Sequence, residues 1–88
     1  MRITGSDQED IKVEYEKRPR WAKNLAEEDY ELTARGMFTT AAAAAYAGVS
    51  EGTIRQAIKQ SRLKATRLGR GFRIALRDLK AFLGIEEA

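Results

Sequence analysis

The 88-residue chain contains no cysteine and no histidine. Without thiols it can form neither a disulfide nor a thiolate nucleophile, and without both residue types it lacks the usual zinc ligands. The acids are mostly in the N-terminal part of the chain and are not spaced with a nucleophile and a base for catalysis. We therefore expect no catalytic residues, no metal and no cofactor.

Long apolar runs are missing as well. No stretch approaches the about 20 apolar residues of a membrane span, and the N-terminus lacks the apolar core of a signal peptide. The prediction is a cytoplasmic protein without a membrane partner. Its length allows one small domain with an arm, and such a domain buries only about 60% of its unfolded surface.

Positive charge is concentrated in the second part of the chain, although the net charge is only +3. Residues 1–36 carry seven Lys/Arg and nine Asp/Glu, whereas residues 37–88 carry nine and four. Between Arg55 and Lys80 the only acid is Asp78. Such a concentration is typical of nucleic-acid binding, but a charge run alone is more often a solvated face.

The N-terminal part of the chain predicts a tail, a short strand and a helix. Residues 1–10 are polar, and Ile11–Glu16 alternates apolar and charged residues with the period of a strand. Pro19 can occupy the first position of a helix, and apolar side chains follow it at helical spacing. We therefore predict a helix over residues 19–34.

The basic cluster around Trp21 has two interpretations. It could contact DNA, as basic arms do in other folds. Alternatively, Trp21, Leu25 and Tyr30 cover a core and the charges face solvent. We favour the second interpretation, because an exposed tryptophan costs solubility. The cations concerned are Lys17, Arg18, Arg20 and Lys23.

The stretch from Met37 to Leu63 predicts two short helices and a tight turn. Thr39 can cap the first helix, an alanine-rich run continues it, and Gly48 can end it in the left-handed conformation. Ser50 can cap the second helix. A three-residue link between two short helices is typical of a helix-turn-helix.

The second helix, predicted over residues 51–60, has an apolar face. Ile54, Ala57 and Ile58 recur at the spacing that places them on one side, which must face the core. Val49 can pack on Ile54 as a hydrophobic staple.

The opposite face carries side chains suited to DNA. Arg55 and Gln56 can each make two hydrogen bonds to a guanine or an adenine edge. Gly52 costs helix propensity but lets the backbone approach DNA closely. Ser50 and the free N–H groups beside it can hold a phosphate. Glu51 can accept a hydrogen bond from a cytosine amine or simply interact with the helix dipole.

A hairpin and a final helix are predicted after Leu63. Alternate apolar or small residues indicate two short strands with one covered face: Thr66, Leu68, Phe72 and Ile74. Gly69-Arg70-Gly71 supplies positive φ angles for the turn, which places Arg70 at the tip and Arg67 and Arg73 on the open face. The final helix buries one face and stops at Gly84: Leu76, Leu79, Phe82 and Leu83.

Residues 37–84 resemble the compact winged helix-turn-helix of the excisionase and MerR-like group. Ala44, Gly48, Val49 and Ile54 match the small, turn, apolar and core positions of its helix-turn-helix. The following SRLKATRLGRGFRIALRDLKAFL matches the order and spacing of its wing and last helix. The chain departs from the group at three positions. Ala42 stands where the group has a capping acid, Ser61 where it has a glycine after the recognition helix, and Ala75 where it has the cap of the last helix.

The resemblance implies a mainly α fold, a winged helix-turn-helix with a small two-stranded β wing, here preceded by an extra N-terminal helix. The domain division is 1–36 for a tail and helical arm, 37–84 for the DNA-binding domain and 85–88 for a tail. The expected DNA contacts are Ser50, Glu51, Gly52, Thr53, Arg55, Gln56, Lys59, Arg67, Arg70 and Arg73.

The function implied is sequence-specific binding of double-stranded DNA, cooperative on repeated sites, by a small phage or mobile-element protein. An excisionase associated with the nucleoid is favoured slightly over a transcriptional regulator or antitoxin-type repressor. Expected partners are DNA, further copies of the chain and a site-specific recombinase. A protein-interaction module without DNA readout is the second alternative.

Overall fold

The computed structural model describes residues 17–85. Its elements are a 3-10 turn at Arg20–Ala22, α1 Glu27–Thr33, β1 Met37–Phe38, α2 Thr40–Ala47, α3 Glu51–Lys59, β2 Thr66–Leu68, β3 Gly71–Ala75 and α4 Leu76–Leu83. The strands form an antiparallel sheet in the order β1-β3-β2. The predicted fold class is confirmed. The tail over residues 1–10, the strand predicted at Ile11–Glu16 and residues 86–88 lie outside the described residues.

Strand β1 is an addition to the predicted two-stranded wing. Met37 pairs with Ala75 and Phe38 with Ile74, and the Leu76 N–H donates to the Gly36 carbonyl at 2.9 Å. This short ladder joins the start of the helix-turn-helix to the junction between β3 and α4. A two-residue strand is too short to show an alternating pattern in the sequence.

The core lies between α2, α3, the sheet and α4. Its buried members are Phe38, Ala42, Ala43, Ala44, Ile54, Ala57, Leu63, Ile74 and Leu79. Because the buried face of α2 consists of alanines, α3 can pack closely on it. Ile54 and Leu79 are completely buried, which confirms the predicted helical faces of α3 and α4.

Both predicted caps of the helix-turn-helix are present. The Thr39 hydroxyl accepts from the Ala42 N–H, and the Ser50 hydroxyl accepts from the Thr53 N–H, each at 3.1 Å. Val49, predicted to staple onto Ile54, is 40% exposed and is not among the residues packed against the core. Its main-chain N–H instead closes the end of α2.

Helices α2, α3 and α4 end in the same way. In each, the N–H of the residue that follows the left-handed position donates to the carbonyl five residues earlier: Val49 to Ala44, Arg62 to Ala57 and Ile85 to Lys80. This Schellman arrangement needs a left-handed residue, which is Gly48 in α2, Ser61 in α3 and Gly84 in α4. Within the described residues, Ser61 is the only non-glycine with a positive φ, at 61°.

The single helix predicted over residues 19–34 is wrong, because the chain forms a 3-10 turn and then α1. Arg18 explains the interruption. Its guanidinium donates to the carbonyls of Ala22 at 3.2 Å and Leu25 at 2.8 Å. A continuous α-helix would use both carbonyls for N–H groups four residues later.

Arg18 also corrects the expectation that the basic cluster is solvated. The residue is only 5% exposed, forms an ion pair with Glu27 at 2.9 Å and lies 4.4 Å from the centroid of the Tyr30 ring. It is therefore a buried structural cation, stabilised by carbonyls, a carboxylate and an aromatic face.

Trp21 packs on the core, as the favoured interpretation predicted. Its ring stacks on Phe38 with a centroid distance of 5.9 Å and meets the edge of Tyr46 at 5.1 Å. Leu25 also packs against the buried cluster. Residues 17–36 thus cover one side of the helix-turn-helix.

Candidate nucleic-acid interface

One side of α3 is free of the core over its whole length. Ile54 and Ala57 are buried beneath it, and Ile58 is half-buried. The exposed residues on the other side are Ser50, Glu51, Gly52, Thr53, Arg55, Gln56 and Lys59. We call this set the recognition face. It brings together the seven candidate residues that the sequence places in the second helix and its cap.

Nothing within the described protein requires a glycine at position 52. Its φ is not positive, and an added Cβ would meet nothing closer than the Ser50 hydroxyl at 3.8 Å. A glycine inside a helix costs about 0.5–1 kcal/mol relative to alanine. The fold therefore does not account for the glycine at this position.

At the N-terminus of α3, one main-chain N–H donates to a capping side chain, and the N–H groups before it have no acceptor within the helix. The Ser50 hydroxyl caps the Thr53 N–H and lies 3.0 Å from the Thr53 hydroxyl. The N–H groups of Glu51 and Gly52 belong to the first turn, where no intrahelical acceptor exists. The positive end of the helix dipole therefore faces solvent beside two hydroxyls, which suits an anion.

Glu51 links the two helices of the motif. Its Oε1 accepts from the Arg55 guanidinium at 3.4 Å and from the Thr40 hydroxyl, in the first turn of α2, at 3.5 Å. Neither contact was predicted from the sequence. The first could have been found, since residues four apart face each other on a helix; the second could not, because the sequence does not reveal how α2 is rotated towards α3.

The wing turn is shorter than predicted. Leu68 pairs with Gly71, so only Gly69 and Arg70 form the turn. Gly69 has a φ of 60°, whereas Gly71 has no positive φ and belongs to β3. Glycine at the first of two turn positions is typical of a type II′ hairpin. Arg70 is exposed at the tip, where it was predicted.

This turn length changes which side chains share a face. Arg67 is opposite Phe72, and Thr66 is opposite Arg73. Opposed residues of an antiparallel pair point to the same side, and neighbours along a strand point to opposite sides. The prediction that Arg67 and Arg73 share the open face is therefore wrong.

The predicted covered face of the hairpin is wrong for β2. All three of its residues are exposed, with Leu68 at 56%, whereas Phe72 is half-buried and Ile74 is completely buried. A three-residue turn would have put Leu68 beside Phe72. The shift by one residue moves Leu68 and Thr66 to the opposite side from Phe72 and Ile74.

The three wing arginines differ in accessibility. Arg67 is exposed, with its guanidinium 5.6 Å from the Phe72 ring centroid. Arg73 is half-buried and donates to the Phe72 carbonyl at 3.1 Å. Arg70 and Arg67 thus offer freer cations than Arg73 does.

Within residues 17–85, no group of three or more acidic side chains is arranged to hold a metal ion. In the same part of the chain, no helix is both long and apolar enough to cross a membrane.

Capped helices at a tight turn, an exposed polar face on the second helix and a following hairpin and helix define a winged helix-turn-helix, a class of DNA-binding domain. The family model described as a helix-turn-helix domain matches residues 37–84. The chain belongs to this helix-turn-helix domain family. Neither a curated protein nor a solved structure matches it.

Proposed function

We propose that the protein binds double-stranded DNA in a sequence-specific manner, with α3 in the major groove and the wing on phosphate or in the adjacent minor groove. The observation that supports this most is the recognition face itself. Arg55 and Gln56 are exposed there beside Gly52, and these are side chains that can read guanine and adenine edges.

The candidate contacts divide by chemistry. Arg55, Gln56 and Glu51 would read bases, because they can make directed hydrogen bonds in the major groove. The remaining contacts would hold the DNA backbone without reading sequence: Ser50, Thr53 and Lys59 on α3 and Arg67, Arg70 and Arg73 on the wing, with Gly52 permitting the close approach.

Charge favours DNA over a protein partner for this surface. Residues 37–88 carry nine Lys/Arg and four Asp/Glu, and Glu51 is the only acid on the recognition face. The acids of the described N-terminal part are collected on α1 at Glu27, Glu28, Asp29 and Glu31. A module that only bound protein would need no such separation.

The cellular role that we propose is that of an excisionase-like protein of a phage or other mobile element, acting on the nucleoid in the cytoplasm. A single small module buries only about 600–1,000 Å² of its surface on DNA, so useful specificity calls for several copies on a repeated site. Further copies of the chain and a site-specific recombinase would be its partners. A transcriptional regulator or antitoxin-type repressor using the same surface is the alternative role, and neither role needs catalysis.

Selection from a pool of random duplexes tests the proposed binding. We expect a short motif to be enriched, and we expect footprints of repeated copies on DNA that contains the motif in tandem. Affinity should fall steeply with salt, because bound cations release counterions from DNA. Failure to enrich any sequence would contradict specific binding.

The bending of the DNA and the symmetry of the protein on its site distinguish the excisionase-like role from the repressor role. Cooperative loading on direct repeats with bending of the DNA would support the excisionase-like role. A stable symmetric dimer that protects an inverted repeat without bending it would support the repressor.

A further inference from the structure

Glu51 is the one acid on a recognition face that is otherwise neutral or basic. Its side chain is 47% exposed and that of Arg55 is 54% exposed. The Thr40 hydroxyl holds the same carboxylate oxygen from α2. The carboxylate therefore lies beside both Arg55 and Thr40, in two long and exposed contacts.

The ion pair between Glu51 and Arg55 is weak enough to be exchanged. Its atoms are 3.4 Å apart in an exposed pair four residues apart on a helix, and such pairs contribute little because water screens them. A guanine offers Arg55 two acceptors in the geometry of its guanidinium. Arg55 can therefore leave Glu51 when that base is present.

A phosphate backbone offers Glu51 only repulsion. Where the bases do not match, a carboxylate on the face that enters the groove opposes binding and keeps Arg55 occupied. Where they match, Arg55 moves to guanine and the carboxylate becomes available to accept from the amine of a cytosine in a neighbouring base pair.

We propose that Glu51 determines specificity by competing with DNA for Arg55 and by repelling phosphate at sites that lack the matching bases. Thr40 is a positioning residue in this arrangement, because it contacts the carboxylate but lies on α2. The inference rests on the proposed DNA-binding function and adds to it a residue that disfavours binding to the wrong sequences.

The competing account is that Glu51 only stabilises α3 by its position in the first turn, where the helix dipole favours an acid. Glu28 provides a matched control, since it is an exposed acid in the first turn of α1. Glu51→Gln and Glu28→Gln make the same change in charge at similar helix positions, on different faces of the molecule.

The test measures the affinity of both variants and the parent for the selected site and for a random duplex of equal length. For Glu51→Gln we expect affinity for random DNA to rise about 3- to 10-fold, because one nearby repulsive charge is removed. The ratio of specific to random affinity should fall about tenfold. Glu28→Gln should leave that ratio unchanged.

A double variant tests whether Glu51 acts through Arg55. In an Arg55→Ala background, Glu51→Gln should change the ratio less than it does in the parent, because the competition for Arg55 is absent and only the repulsion of phosphate and the cytosine contact remain. An undiminished change there, or a parent-like ratio for Glu51→Gln alone, would overturn the inference while leaving DNA binding intact. A parent without any sequence preference would overturn the proposed function as well.

Discussion

Two Arg–Glu ion pairs in the molecule have opposite surroundings. Arg18 contacts Glu27 at 2.9 Å with only 2% of the arginine side chain exposed, whereas Arg55 contacts Glu51 at 3.4 Å with 54% exposed. Arg18 also donates to two main-chain carbonyls. The first arginine is part of the fold and the second is available to a ligand.

The comparison shows that local charge density does not identify a binding surface. Lys17, Arg18, Arg20 and Lys23 form as dense a basic cluster in sequence as any in the wing. One of them is nevertheless buried, and the neighbouring Trp21 packs on Phe38 and Tyr46. On α3 the cations instead lie opposite a buried face, so they must point outwards.

Removing the buried arginine should have the largest effect on stability. Arg18→Ala removes the donor to the Leu25 carbonyl, one of the two donors to the Ala22 carbonyl and the ion-pair partner of Glu27, and we expect it to lower the free energy of unfolding by about 2–4 kcal/mol. Urea denaturation followed by the fluorescence of Trp21 measures this. Arg20→Ala, which removes an exposed cation two residues away, should stay within about 0.5 kcal/mol of the parent. Equal losses in the two variants would contradict the structural role of Arg18.

Replacing the left-handed Ser61, which lies outside the recognition face, by glycine should raise the stability of the protein. Ser61 has a φ of 61° at a position where α2 and α4 have glycine. Because a left-handed conformation costs a non-glycine residue about 1–2 kcal/mol, Ser61→Gly should raise the free energy of unfolding by about 1 kcal/mol. DNA affinity should not change. As a control, Gly48→Ala should be destabilising, since it places a Cβ at a φ of 74°; a less stable Ser61→Gly would contradict the account of the helix end.

Replacing Gly52, on the recognition face, should have a smaller effect on stability. The same change should raise stability and lower DNA affinity. Gly52→Ala should raise the free energy of unfolding by about 0.5–1 kcal/mol, because the site has room and helical backbone. The added methyl group should weaken DNA binding if the backbone approaches the groove closely. Unchanged affinity together with higher stability would remove Gly52 from the interface.

The features that were predictable from sequence are local ones. Thr39, Gly48 and Ser50 act on backbone groups a few residues away, so their identities indicate where the helices start and stop. Ile54 and Arg55 separate onto opposite faces because the period of the helix requires it.

The features that were not predictable depend on side-chain contacts between residues several positions apart or on the exact length of a turn. Arg18 takes acceptors from residues four to nine positions away, and no pattern in the sequence selects those partners. The faces of Arg67 and Arg73 depend on a turn of two residues rather than three. One residue of register reverses every side chain of a strand.

The central claim is that α3 reads bases while the wing tip holds the backbone, and one set of titrations tests it most directly. Arg55→Ala and Arg70→Ala, each removing one exposed guanidinium, are titrated with the selected site and with random DNA over a range of salt. Arg35→Ala serves as a control, being exposed and outside both candidate contact groups.

We expect Arg55→Ala to weaken binding to the selected site by about 1–3 kcal/mol more than binding to random DNA, as the loss of a bidentate base contact requires. Arg70→Ala should weaken both similarly and reduce the slope against salt by about one unit. Equal losses on both DNAs from Arg55→Ala would contradict the claim, because α3 would then hold phosphate without reading sequence.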